Sequence, residues 1–201
     1  MRPKSNLVAT LFVLAAFALV TGCGPHTLGL HAESAPPAGI ERHLEGVRVS
    51  VRAVTDKRAE QGEVGRHRDG FLRVTQYHYV ASEPVAASVD AVLRDALRDA
   101  GATVVDRGAV NDVVLDVEVA ALDVTTDGML AGEETFGVVT LDVRVSSGEA
   151  QLGHVTIKEP FAVDDVQEPS LLREALQRAA RNAVRSIRRA APAVAPPTSA
   201  G

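Results

Sequence analysis

A two-layer α+β sandwich is the fold predicted by this 201-residue sequence. Its sheet is expected to be mostly antiparallel, with four to five strands and two amphipathic helices on one face. Three observations carry that prediction. Valines recur at every second residue in several separate stretches, the pattern of strands with one buried face. Two other stretches place apolar residues at helical spacing, and two such helices are a natural cover for a single apolar sheet face. Aromatic residues make up only 3% of the chain against 46% hydrophobic residues overall, which suits a core of valine, leucine and alanine.

The elements follow in order. Val47, Val49 and Val51 alternate with Arg48, Ser50 and Arg52, a half-buried first strand. A long polar loop is expected from Thr55 to Gly70, and Phe71 to Val80 reads as a short ribbon or irregular arm. Ser82-Glu83-Pro84 then opens a helix, with Ser82 as candidate cap and the proline tolerated in the first turn. Its apolar positions are Val85, Val89, Val92, Leu93, Ala96, Leu97 and Ala100, and Gly101 stands where a left-handed residue ends a helix. A short strand is expected at Ala102 to Val105, a longer one at Asp112 to Val124, and further strand signals at Val139 to Val145 and Val155 to Ile157. A second helix begins near Glu168-Pro169-Ser170 and buries Leu171, Leu172, Ala175, Leu176, Ala179, Ala183, Val184 and Ile187. The uncovered sheet face is expected to carry Arg48, Arg52, Asp116, Glu118, Asp142, Arg144 and Lys158, with cross-strand pairs of opposite charge.

The N-terminus reads as an address. Arg2 and Lys4 precede an uninterrupted apolar run from Leu7 to Val20, and Thr21-Gly22-Cys23 follows. A basic start, a short apolar run and small residues at a cut site are the parts of a secretory signal. Val20-Thr21-Gly22-Cys23 resembles the lipobox of bacterial lipoproteins. That resemblance implies cleavage before Cys23, with the cysteine sulfur joined to diacylglycerol and the new amino group acylated. Several acyl chains make a durable anchor where one alone is marginal. Gly24 rather than aspartate after the cysteine implies the outer membrane, facing the periplasm, where sorting follows the enterobacterial rule. The expected organisation is therefore a signal peptide at 1–22, a lipidated N-terminus and flexible tether at 23–45, one domain at 46–190 and a disordered tail at 191–201. The tether is rich in Pro, Gly, Ala and His, and the tail reads APAVAPPTSAG.

Composition excludes several classes. Cys23 is the only cysteine, so there is no internal disulfide framework and no cysteine-rich zinc site. Removal of residues 1–22 takes away two basic residues and no acids, leaving 19 Lys+Arg against 26 Asp+Glu. That balance argues against general affinity for nucleic acid.

With the elements placed, the chain resembles the YajG family of outer-membrane lipoproteins from about Val47 to Ile187. The carriers are the lipobox, the opening VSV strand, Asp56-Lys57-Arg58 as a D-x-R arrangement, Glu63-Val64-Gly65, the LRDALRDAG helix end, the valine-rich strand pair and the C-terminal alanine/arginine helix. The family's fold is similar to small α/β domains of several envelope lipoproteins and of the N-terminal domain of TolB. Its biochemical activity is not established, so the resemblance implies location and fold rather than mechanism.

Candidate chemistry is sparse. No G-x-S-x-G occurs, and Ser82 and Ser170 sit at helix starts, where capping explains them. No catalytic residue and no cofactor is assigned, and the chain is expected not to be an enzyme. Asp123, Thr125, Asp127, Gly128 and Glu134 imitate the spacing of an EF-hand loop, but strand patterns on both sides favour a polar hairpin turn. The histidines at 26, 31, 43, 67, 78 and 154 show no ligand spacing and read as solvated, so no metal is assigned. Two features are candidates for binding a protein partner. Asp56 and Arg58 lie just past a strand end in a long loop, and Arg178, Arg181, Arg185 and Arg189 form a basic stripe on the last helix of an acidic chain. The expected function is that of a non-enzymatic, lipid-anchored envelope protein that binds a partner or assists an envelope assembly. The alternative is an accessory lipoprotein of a transport system for lipid or another amphipathic ligand, which would require a deep apolar pocket.

Overall fold

A computed structural model describes residues 25–30, 42–69, 71–129, 132–164 and 168–190. Within them run β1 (His26–Leu28), β2 (Arg48–Asp56), β3 (Gly65–Asp69), β4 (Thr75–Ala81), α1 (Val85–Asp99), β5 (Thr103–Val105), β6 (Val113–Met129), β7 (Gly132–Ser147), β8 (Ala150–Asp164) and α2 (Glu168–Ala190).

The organising element is β6, whose 17 residues pair with β7 along one edge almost throughout. Its other edge is shared. β2 lies parallel along Val113–Val119, and β3 lies parallel along Val124–Gly128. β8 extends the antiparallel meander beyond β7, β5 flanks β2 in parallel, and β4 and β1 continue outward from β3.

The α+β class and the two helices on one face are as the sequence predicts. The sheet differs: it has eight strands rather than four or five, and it is mixed rather than mostly antiparallel. The extra strands escape sequence reading for a physical reason. β3 is Gly-Arg-His-Arg-Asp, with no alternating apolar side chains, and is a strand because its backbone pairs with β4 on one side and β6 on the other. The polar loop expected at 55–70 is therefore confined to the stretch between Asp56 and Gly65.

The tether is corrected as well. Its residues His26–Leu28 form β1 against β4, Leu28, Leu30 and Leu44 are buried, and Ser82 N–H donates to Leu28 O at 2.8 Å. Leucines in a Pro/Gly-rich context thus enter the core. Ser82 does not cap α1, which starts after Pro84 without a side-chain cap. The tail at 191–201 lies outside the described residues.

The apolar face is continuous. Val113, Leu115, Val117 and Val119 are each at most 1% exposed. A register shift between Val119 and Ala121 then inserts an extra residue, so that Leu122 and Val124 stay on the same side. All seven predicted apolar positions of α1 are buried, and α2 buries Leu172, Ala175, Leu176, Ala179, Ala183, Val184 and Ile187, with Leu171 partly covered. α1 packs on β2 and β5, α2 on β7 and β8, and the helices touch each other. Gly101 has φ 89°, as a helix-ending glycine should. The outer face neutralises itself as expected, by pairs Arg48–Asp112, Arg52–Asp116 and Arg144–Glu118.

Candidate functional site

The bulge in β6 is where its edge partner changes from β2 to β3, so the chain between them must turn sharply there. At the end of β2, Lys57 N–H donates to Val119 O at 3.0 Å. Re-entry as β3 requires Gly65: a Cβ there would lie 2.0 Å from Val124 O.

Arg58 ties the crossing together. Its Nε and Nη2 donate to the two carboxylate oxygens of Asp56 at 2.9 and 2.8 Å. Nη2 also reaches Gln61 O at 3.1 Å, and Nη1 reaches Glu63 O at 2.6 Å and Leu122 O at 3.2 Å. All five guanidinium N–H groups thus have an acceptor, and the residue is only 8% exposed. Burial would raise the Asp56 carboxyl, but side-chain and backbone hydrogen bonds from Arg58, with its charge, hold it below the usual carboxylate range. The D-x-R pair is a lock on the loop, turned inward on itself.

The lock forms one wall of a cleft of about 240 Å³, lined by Arg58, Ala59, Glu60, Glu63, Gly65, Arg66 and Ala120 to Asp123. Asp123 lies in this lining and is partly buried. Burial pushes its carboxyl up; Arg66 opposes this, Glu60 adds to it, and Arg58 and Arg68 pull it down less strongly. Glu63 Oε2 lies 2.7 Å from His78 Nδ1 and accepts its hydrogen bond when that nitrogen carries the proton. Chemically, the cleft offers the exposed charges of Glu60 and Arg66, with Arg58, Gly65 and Leu122 as its buried lining. It suits a polar or cationic side chain better than an acyl chain.

Glu60, Glu63, Arg66 and Asp123 were not among the predicted binding residues. Only strand parity, which puts Asp123 on the face opposite Leu122 and Val124, could have pointed to them.

The segment that imitates an EF-hand is strand rather than turn as far as Met129. Consecutive would-be ligands stand two strand residues apart, and Asp127 is held by Arg68 at 2.8 Å. Histidine also departs from expectation. His67 is 7% exposed and its ring stacks on Tyr77 at 4.7 Å, while His26 sits 4.2 Å from the same ring. Among the described residues, no group of three or more His, Cys, Asp or Glu is placed to hold a metal ion.

The arginine stripe divides. Arg178 pairs with Glu159 of β8 at 2.8 Å and with Glu174 at 3.0 Å. Arg181 lies close enough to the end of α1 to act on Asp99. The Asp99 carboxyl there is raised by burial and by Asp95, and Arg181 partly offsets this. Arg185 is exposed, with Nη1 3.4 Å from Asn182 Oδ1, and Arg189 is exposed. No hydrogen bond or ion pair among the described residues joins this helix to Asp56 or Arg58, so the two candidate regions are separate. Cys23 lies outside the described residues. No helix among the described residues is long and apolar enough to cross a membrane.

No family model matches the chain, and no curated protein does. Solved structures give distant likenesses. A Xanthomonas campestris protein of family DUF330 is 11% identical, covers 80% of this chain and 91% of its own, and has a TM-score of 0.48. A minor lipoprotein from Acinetobacter baumannii is 13% identical, with coverages of 73% and 94% and a TM-score of 0.39. A lipoprotein from Neisseria meningitidis is 14% identical, with coverages of 70% and 99% and a TM-score of 0.36. At these scores the likenesses enter no functional argument, and the YajG resemblance rests on its sequence motifs alone.

Proposed function

We propose that this chain is a non-enzymatic envelope lipoprotein, acylated at Cys23 in the outer membrane, whose periplasm-facing domain binds a protein partner. The cleft between Arg58 and Asp123 carries this reading. At about 240 Å³ it is smaller than the roughly 300–1,000 Å³ of a small-molecule pocket. Its rim is charged, so it favours a basic or polar side chain of a partner over a lipid tail. Supporting it, the exposed end of the stripe, Arg185 and Arg189, has no carboxylate partner among the described residues and offers its cations to an acidic surface. Asp56 and Arg58 contribute by holding the cleft's shape, since their own polar groups are spent on each other and on the loop. The anchor raises the local concentration of membrane-bound partners, so modest intrinsic affinity suffices.

Site-specific photo-crosslinking in intact cells tests this reading. A photoreactive residue at Glu60, on the cleft rim, should give a discrete protein adduct that weakens when Asp123→Lys reverses the cleft's charge. A phospholipid or acyl adduct in place of a protein one would contradict it, as would turnover of an envelope substrate by the purified chain.

A further inference from the structure

We propose that the turn joining β3 to β4 enters the lipid interface of the membrane that holds Cys23, so that the domain lies on the bilayer in one fixed orientation. This rests on the reading of Cys23 as acylated. The turn is the most apolar exposed feature among the described residues: Phe71 is 86%, Leu72 67% and Val74 58% exposed. Folding alone gives no reason to present three such side chains together to water.

The turn is also built to hold them there. Asp69 Oδ1 accepts from the amides of Phe71 and Leu72 at 3.0 and 2.8 Å, Arg73 N–H donates to Asp69 O, and Asp69 N–H to Val74 O. The N–H groups of Asp69, Phe71, Leu72 and Arg73 are thereby satisfied within the turn, which lowers the cost of taking it out of water. Arg73, at φ 54°, stands among the apolar side chains. Its stem can lie along acyl chains while its cation reaches phosphate.

Strand directions bring the bilayer to this end. β1 is parallel to β4 with His26 opposite Tyr79, so the chain before His26 emerges toward the start of β4 at Thr75, next to the turn. Cys23 precedes His26 by three residues, at most about 10 Å of chain. Tyr79 to Thr75 is four residues of strand, roughly 13 Å. The described chain that leads back to Cys23 therefore leaves the domain at the end that carries the turn. A bilayer is favoured over a second protein because the anchor delivers it there.

The chain has no tryptophan, so Phe71→Trp gives a single reporter. Val110→Trp is the control, because Val110 is 73% exposed and precedes β6 at the opposite end of that strand. The acylated full chain is reconstituted into phosphatidylethanolamine/phosphatidylglycerol vesicles. The Phe71→Trp emission should shift to the blue and be quenched by brominated acyl chains, most by bromines nearest the headgroup, while the Val110→Trp emission stays aqueous. Aqueous emission from both reporters on vesicles that carry the chain would overturn the inference and leave the anchor reading intact. A Phe71→Trp emission already blue without vesicles, in chain carrying Cys23→Ser, would assign the turn to a second copy and overturn it too. An N-terminal peptide without acyl groups by mass spectrometry would remove the anchor reading, and this inference with it.

Discussion

Residues 113–119 and 122–129 belong to one strand, yet different forces hold the two halves of β6. The first half lies between β2 and β7 beneath the helices, with four residues at most 1% exposed on its inner face. Its stability is that of apolar burial. The second half lies beside β3, where Arg68 pairs with Asp127, Thr126 meets Thr135 at 3.1 Å, and His67 stacks on Tyr77. Polar contacts, ring packing and the Arg58 lock add here to the burial of Leu122 and Val124. The first half is a platform. The second carries the cleft, the exposed turn and the route toward Cys23. Features that can contact a partner collect where apolar burial does not dictate the sequence.

Four substitutions or conditions can break or sharpen this contrast. Arg58→Ala has the largest expected effect. It strands the partly buried Asp56 carboxylate and three carbonyls, at a cost of about 3–5 kcal/mol. Arg58→Lys should rescue little, because an ammonium cannot match the fork. Denaturant unfolding measures both. If Arg58→Ala costs no more than an exposed ion pair, the lock does not hold the second half.

Leu115→Ala and Leu176→Ala test the platform, since both residues are fully buried. Each should cost about 2–5 kcal/mol with the cleft unaltered. An effect felt first at Asp123, for example in its titration, would mean that the halves are not independent.

Acid titration separates two carboxylates within the second half. Asp56 is held below its ordinary value, so its contribution is complete above the unfolded pKa and disappears as pH falls through the folded one. Asp56→Asn should flatten the acid limb of the stability curve. Asp123 is raised, so its ionised form costs stability at neutral pH, and the cost is relieved as pH falls through the raised folded value. Asp123→Asn should therefore raise the neutral melting temperature and lose that advantage in acid. Parallel behaviour of the two variants would contradict the assigned environments.

The smallest effect is expected on the outer face. Asp116→Ala removes a pair whose arginine is well exposed and should cost at most about 1 kcal/mol. A loss equal to that of Leu115→Ala would mean that this face is not the solvent face.

The same contrast decides what could be read from the sequence. β2, both helices, the lower part of β6, β7 and β8 announce themselves because one side of each is apolar at the right period, as at Val113, Leu115, Val117 and Val119. β3 and the upper part of β6 do not. Arg66-His67-Arg68 and Thr125-Thr126-Asp127 have no apolar side, and their strand state depends on neighbours remote in sequence. β1 is three residues long and lies in a stretch whose composition suggests a linker. At the site, Asp56 and Arg58 were visible as a pair, but their role depends on Leu122 O, which the β6 bulge presents from a distant part of the chain. The stripe was visible as a period of three and four. That Arg178 is spent on Glu159, while Arg185 and Arg189 stay exposed, depends on how α2 sits on β8.

The central claim is that this domain is held to a membrane through Cys23, close to the start of β1. Intact mass analysis of the N-terminal peptide of the membrane-extracted chain tests it most directly. The account predicts a chain that begins at Cys23 and carries a diacylglyceryl thioether and an N-acyl group. A mature chain that begins elsewhere, or an unmodified Cys23 thiol, would contradict it.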